Sequence, residues 1–260
     1  MKIVVLVKYV PDATGDRGFA ADHTVDREAT DGLLSELDEY AVEQALQIAD
    51  DHDDVEVTAL TLGPDDAADA IKRALQMGCS AGIHVIDDAV HGSDAIGTSS
   101  VLAAAVQKAA PDLVICGMAS TDGSMGVVPS MVAERLGWPA VTYGATLTLG
   151  EGTVSIRRDG DVASQTVEAR LPAVVSVTDQ SGEARYPSMK GILAAKKKPV
   201  AEWSLADLGV DPASVGLAAA WTEVLDATPR PPKEAGRVVT DEDGSGAKEL
   251  VGFLAGGKFI

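Results

Sequence analysis

The stretch DLVICGMASTDGSMGVVPSMVAERLG, residues 112–137, sets a short apolar run, a glycine-rich loop and a helical pattern in direct succession. Leu113 to Cys116 is unbroken apolar sequence, as expected of a strand buried on both faces and ending at Gly117. From Ser124 onward the sequence reads as a loop turning into a helix. Gly117, Gly123 and Gly126 allow close backbone approach. Ser120, Thr121 and Ser124 add hydroxyls. Free N–H groups at the start of the helix point at whatever fills the loop, and the helix dipole favours an anion there. The pattern is a phosphate cradle that needs no lysine. It is neither G-x-G-x-x-G nor a P-loop, so it also reads as a glycine-rich connection in a βα unit.

Working outward, the same rhythm repeats. KIVVLVKYV (Lys2 to Val10) reads as one buried strand. A long Asp- and Gly-rich loop follows from Pro11 to Gly32, and loops of that length are often functional. SELDEYAVEQALQIADD reads as a helix, with Ser35 as N-cap and the acids Glu36, Asp38 and Glu39 in its first turn. VEVTALTLG, GIHVID and DLVICG read as strands. DDAADAIKRALQMG and SDAIGTSSVLAAAVQKAA read as helices, Gly78 stopping the first. The pattern predicts an α/β fold: a doubly wound, mostly parallel sheet of the nucleotide-binding, Rossmann-like class, with ligands bound past the strand C-termini. After Trp138-Pro139, AVTYGATLTL, GTVSIRRDG, ASQTVEARL and AVVSVTD read as antiparallel strands added to that sheet. The expected organisation is a nucleotide-binding domain over 1–200 and an extended C-terminal arm over 201–260. The arm includes a Pro-rich extended stretch, ATPRPPKEAG, and one short helix near the end. It is poor in core residues, so a partner surface is expected to order it.

Composition narrows the function classes. The chain has 260 residues, 40 Asp plus Glu, 21 Lys plus Arg and a net charge of −19. Long-range repulsion opposes binding to nucleic acid or an anionic membrane. Cys79 and Cys116 lie far apart in apolar runs and read as buried core thiols. No apolar run is long enough to span a membrane, and a cytoplasmic location is expected. The four histidines, His23, His52, His84 and His91, are scattered. Acid pairs such as Asp65-Asp66 and Asp87-Asp88 fall at element ends. No general acid or base stands out, so redox chemistry would need a bound organic cofactor.

RYPSMKGILAAKKKPV, residues 185–200, places three lysines in an acidic chain. One reading is a short helix from Ser188 to Ala195, with Lys196, Lys197 and Lys198 at its negative end and Pro199 as its stop. That leaves Met189 unexplained. An unbranched thioether after Tyr186-Pro187 suits a docking anchor, and a basic collar suits steering of an acidic partner.

LPAVVSVTDQSGEARYPSMKGILAAKKKP, IVVLVKYVPD, DEYAVEQAL, ALQMGCSAGIHV and AERLGWPAVT resemble the β subunits of electron transfer flavoproteins, nearly end to end. The resemblance implies a heterodimer with a larger α subunit that holds most of the FAD, while the β subunit buries a structural AMP. It implies electron transfer from acyl-CoA and other flavin dehydrogenases to a membrane quinone reductase. Carried over by position, nucleotide contacts fall on Leu6, on Ser35, Glu36, Leu37 and Asp38, and on Leu62. They also fall on Gly117, Met118, Ala119, Ser120, Thr121, Asp122, Gly123, Ser124, Met125, Gly126, Val127 and Val128. The dehydrogenase-recognition loop falls on residues 183–194, including Tyr186, Pro187, Ser188 and Ile192, with Met189 at its anchoring leucine and Lys196 to Lys198 behind it.

Many members read DGDTGQVGP where this chain reads DGSMGVVPS, so a threonine and a glutamine become Met125 and Val127. The Asn-Pro of the Ser35 region becomes Ser-Glu. In electron-bifurcating relatives the same pocket holds a second FAD that reacts with NADH. The alternatives from other classes are an adenine-nucleotide hydrolase or ligase, and a stand-alone nucleotide-binding stress protein.

Overall fold

Alternate residues of β1 (Lys2–Leu6) feed two separate cores. Ile3 and Val5 pack on one face of the sheet, Val4 and Leu6 on the other. This is the period-2 alternation of a strand covered on both sides. The computed structural model describes residues 1–228, 231, 236–241 and 244–260. In chain order the further elements are β2 (Tyr9–Pro11), β3 (Gly32–Leu34), α1 (Glu36–Asp51), β4 (Glu56–Leu62), α2 (Ala68–Met77), β5 (Ala81–Val85), α3 (Ala95–Ala109) and β6 (Leu113–Gly117). Then come α4 (Val128–Leu136), β7 (Ala140–Gly144), β8 (Thr146–Leu149), β9 (Thr153–Asp159), β10 (Ser164–Arg170), β11 (Ala173–Val177), α5 (Met189–Ala195), β12 (Val200–Trp203), α6 (Leu205–Leu208) and α7 (Gly246–Gly256).

Seven strands form one sheet in the order β12-β5-β4-β1-β6-β11-β7, every neighbouring pair parallel. Side chains of α1, α2 and α5 cover one face, and those of α3, α4 and α6 cover the other. The expected doubly wound sheet is present. After β1 the chain turns to β4 on one side, and β6 lies on the other, so the strand order reverses between β1 and β6. That reversal opens a crevice at the C-terminal ends of these strands. Cys79 and Cys116 are both buried free thiols.

Four sequence expectations need correction. Lys2 to Val10 is not one strand: β1 ends at Leu6, and Tyr9–Pro11 pairs with Gly32–Leu34 in a separate two-stranded ribbon. The break falls where the Lys8 amide leaves the ladder and donates to the Asp38 carboxylate. The segments after Trp138 do not all extend the sheet as antiparallel strands. β7 and β11 enter it parallel, while β8, β9 and β10 form their own antiparallel sheet. Ser35 stands at the N-cap of α1, but its hydroxyl makes no capping bond and is buried without a hydrogen-bond partner among the described residues. The sheet also continues past residue 200, because β12 pairs with β5. Apolar alternation over four residues was too short to reveal that edge strand.

The chain from Met1 to Ala227 forms one compact unit, and Thr228–Ile260 forms a second. Much of the Pro-rich stretch expected to be extended lies outside the described residues. Within the second unit α7 leaves Val251 and Phe253 exposed, and Phe253 stacks on Phe259. No helix among the described residues is long and apolar enough to cross a membrane.

Ile115, fully buried at the centre of β6, packs in the core beneath α1. Ile115→Ala is expected to lower the unfolding free energy by about 2–5 kcal/mol, the cost of lost burial plus a cavity. Urea denaturation at constant m-value measures it.

Candidate nucleotide site at the strand-order reversal

The crevice between β1 and β6 is a cavity of ≈ 290 Å3. Its apolar wall includes Leu6, Leu62, Leu102 and Val128. Its polar wall includes Lys8, Asp38, Ser93, Asp94, Thr98 and Ser120. The glycine-rich loop closes one side with Gly117, Ala119, Gly123, Met125 and Gly126. A Cβ at Gly117 would collide with the Asp38 carboxylate and the Leu37 carbonyl, which explains why that strand end must be glycine.

Two helices start at this cavity, and their N-termini differ. Asp94 caps α3: its Oδ1 accepts from the amides of Ile96 and Gly97 at 2.9 and 3.0 Å. A negative charge already occupies that helix end. α4 has no side-chain cap at Val127, and Pro129 sits in its first turn without an N–H. The α4 end is therefore the one left open to an external anion.

Three carboxylates shape the electrostatics. Asp122 is not on the cavity wall. Its side chain is 2 % exposed and lies between the ammonium of Lys8 at 2.9 Å and the guanidinium of Arg27 at 3.2 Å. Burial opposes its ionisation, but the Lys8 charge and the hydrogen bonds from Lys8, Ser120 and the Gly123 amide outweigh burial and hold it far below the usual carboxylate range. Asp38 is the opposite case. Burial pushes it up to about 7, against the opposing pull of the Lys8 amide, the Lys8 charge and the Gly117 amide. The shift lowers the negative charge that Asp38 presents to the cavity near neutral pH. Asp94 stays below its ordinary value: burial raises it, and four amides or hydroxyls from α3 and from Trp221 and Thr222 more than offset that.

The structure brings many of the expected residues to this cavity. Leu6, Asp38, Leu62, Gly117, Ala119, Ser120, Gly123, Met125, Gly126 and Val128 lie on its wall. Ser35, Glu36 and Leu37 do not. Glu36 faces solvent. Met118 lines a different cavity, of ≈ 410 Å3, together with Tyr143, Arg158 and Gln180. The Thr121 carbonyl accepts from Arg17 at 2.6 Å. The Ser124 hydroxyl turns back to the Ser120 carbonyl at 3.4 Å, and Val127 is the N-cap of α4.

Sequence reasoning missed Lys8, and the expectation of a cradle without lysine does not hold: among the described residues that line the cavity, Lys8 alone carries positive charge. It also missed Asp94, although an Asp three residues before a glycine at a helix start is a legible cap. Arg27, from the long loop, could not have been placed from spacing.

The 183–198 segment is separate from the cavity. Ser188 caps α5 through the Gly191 amide at 3.0 Å. Tyr186 is 89 % exposed and Met189 73 %, while Ile192 is half-buried. The segment is bolted at both ends. Arg185 makes a two-pronged bond to Glu43 and a third to Asp50 on α1. Lys198 donates to the carbonyls of Leu75 and Gly78, at the C-terminal end of α2, at 2.8 and 3.2 Å. Lys198 is thus a helix cap, and the exposed basic collar consists of Lys196 and Lys197.

Asp38 gives a pH test. Its folded value lies above that of an unfolded aspartate, so its contribution to stability is complete below about pH 4 and is lost as pH rises toward 7. Asp38→Asn keeps an acceptor and removes the titration. The variant is expected to gain on the parent by up to about 1.4 kcal/mol per pH unit across that interval. Urea unfolding at a series of pH values reads it, and parallel curves for the two proteins would refute it.

Comparison with known proteins follows the same line. The family model described as the electron transfer flavoprotein domain matches residues 22–208. An electron transfer flavoprotein subunit beta from Mycobacterium leprae is 47 % identical over 264 residues, covering 99 % of both chains. The caffeyl-CoA reductase-Etf complex subunit CarD from Acetobacterium woodii is 31 % identical, covering 98 % of this chain and 96 % of its own. An electron transfer flavoprotein subunit beta from Megasphaera elsdenii is 30 % identical, covering 94 % and 93 %. A doubly wound sheet with an open helix N-terminus at its reversal point, matched along its whole length, places the chain: it belongs to the electron transfer flavoprotein β-subunit family.

Proposed function

We propose that this chain is the electron-carrier β subunit of a heterodimer. In this reading it holds one AMP in the crevice between β1 and β6, closes the site of an FAD held mainly by a larger α subunit, and carries the surface to which flavin dehydrogenases dock. The observation that carries the reading is the uncapped, proline-bearing N-terminus of α4, beside a cavity whose one cation among the described residues is Lys8. The phosphate would sit on the free amides of that helix start, within reach of the Lys8 ammonium. The adenosine would lie along Leu6, Leu62 and Leu102. AMP here supplies no chemistry. It fills the reversal point and stabilises the folded chain by mass action.

The size of the cavity favours AMP over a second FAD. At ≈ 290 Å3 it stands at the small end of ligand pockets. FAD contains an AMP half and a flavin half, and the flavin half would have to project outside. The hydrolase reading loses its one loop acid, because Asp122 is committed to Lys8 and Arg27. Electron donors in this reading are acyl-CoA and related flavin dehydrogenases, and the acceptor is a quinone reductase. Docking rests on the exposed trio of Tyr186, Met189 and Leu193, with Lys196 and Lys197 behind it.

Denaturing the heterodimer and identifying the released nucleotides tests the cavity assignment. One AMP and one FAD per heterodimer are expected. Two FAD and no AMP would favour the bifurcating type, and FAD without any nucleotide in the β subunit would defeat the reading. Met189→Ala is expected to slow electron acceptance from an acyl-CoA dehydrogenase about tenfold, as loss of an apolar hot spot does, with the flavin spectrum unchanged. Stopped-flow reduction of the heterodimer measures it.

A further inference from the structure

β7 contains an irregularity that the nucleotide reading does not use. Val141 pairs with Val175 and Gly144 with Val177, so β7 spends one residue more than β11 over the same interval. Within that bulge Tyr143 adopts φ 64°, a left-handed conformation that an aromatic residue rarely takes. Bulges of this kind re-aim a side chain. Here the Tyr143 amide is drawn to the buried hydroxyl of Ser176 at 3.0 Å, and the phenol hydroxyl donates to the Gly126 carbonyl at 2.9 Å.

Gly126 is the last glycine before α4 and is itself left-handed, at φ 65°. The end of the loop, Met125 to Val127, has no strong side-chain donor or acceptor of its own. The first half is tied down otherwise, by Asp122 to Lys8 and Arg27 and by the Thr121 carbonyl to Arg17. The fit at Gly126 is close: a Cβ there would stand 2.7 Å from the Tyr143 hydroxyl oxygen.

We propose that Tyr143 is a positioning residue for the nucleotide loop: the bulge aims its hydroxyl at Gly126 and so holds the turn that opens the N-terminus of α4 into the cavity. The effect on binding rests on the nucleotide reading above, whereas the hold on the loop does not. Tyr143 also lines the outer ≈ 410 Å3 cavity with Met118, so the loop is a wall shared by two cavities and Tyr143 touches it from the outer side.

The test uses the full chain freed of nucleotide, with AMP as the probe. Tyr143→Phe keeps the ring and the backbone conformation and removes the hydroxyl. The Kd for AMP is expected to rise about fivefold, the value of one hydroxyl–carbonyl bond. Hydrogen exchange at the Met131 amide, which donates to the Val127 carbonyl at the end of the loop, should accelerate by a similar factor, with exchange in β6 unchanged. Gly126→Ala alone should weaken AMP binding, and adding Tyr143→Phe should recover part of that loss because the atom in the way is gone. Coupling of this sign is not produced by a general loss of stability. A Tyr143→Phe chain with parental AMP affinity and parental loop exchange would overturn the proposal. A parental chain that binds no AMP would overturn the nucleotide reading, and loop exchange would then decide alone whether Tyr143 holds the loop.

Discussion

The contact of Asp122 with Lys8 and Arg27 ties together three stretches of chain that lie far apart in sequence. Lys8 follows β1, Arg27 belongs to the long loop between β2 and β3, and Asp122 sits in the glycine-rich loop after β6. The carboxylate is almost wholly removed from solvent. A buried charge is tolerated only when paired and hydrogen-bonded, and breaking such a pair leaves the remaining charge uncompensated. Two cations and the Gly123 amide meet that requirement together. The first half of the glycine-rich loop is therefore fixed relative to β1.

In the proposed reading the same contact accounts for how so acidic a chain would hold an anion. A net charge of −19 produces a field that opposes phosphate at long range. Inside the crevice the field is local. Asp122 is neutralised by its partners, Asp94 is spent on the amides of α3, and Asp38 titrates near neutrality. In that reading the Lys8 ammonium and the amides at the start of α4 are left to meet the phosphate. Surface charge sets solubility and steering, and a handful of placed dipoles sets the site.

The segment proposed to dock dehydrogenases follows a different logic. Exposed apolar side chains at Tyr186, Met189 and Leu193 cost nothing in packing, but a floppy segment would lose affinity to ordering on contact. Arg185, bonded to Glu43 of α1, and Lys198, bonded to the Leu75 carbonyl of α2, hold its two ends, and Gly191 brings α5 close to the Gln76 carbonyl. Of three consecutive lysines, one is a structural cap and two face solvent.

Period-2 and helical patterns are local, so the inner strands, helices α1 to α4, the glycine-rich loop and the short helix after Ser188 were legible in the amino-acid order, whereas the short β12 and α6 were not. So was the family, from the residues between Leu171 and Pro199. The order alone could not separate strands that join the parallel sheet from those that form their own, because β7, β9 and β11 look alike until their partners are known. It could not assign Lys8, Arg27 or Tyr143 to the loop, since each lies far from it along the chain and meets it only when the sheet is assembled. It misjudged Ser35, whose hydroxyl is buried before it can cap. Local sequence determined which elements form. The tertiary structure decided which charges face each other, because pairing in a low-dielectric interior depends on distance through space and not on separation along the chain.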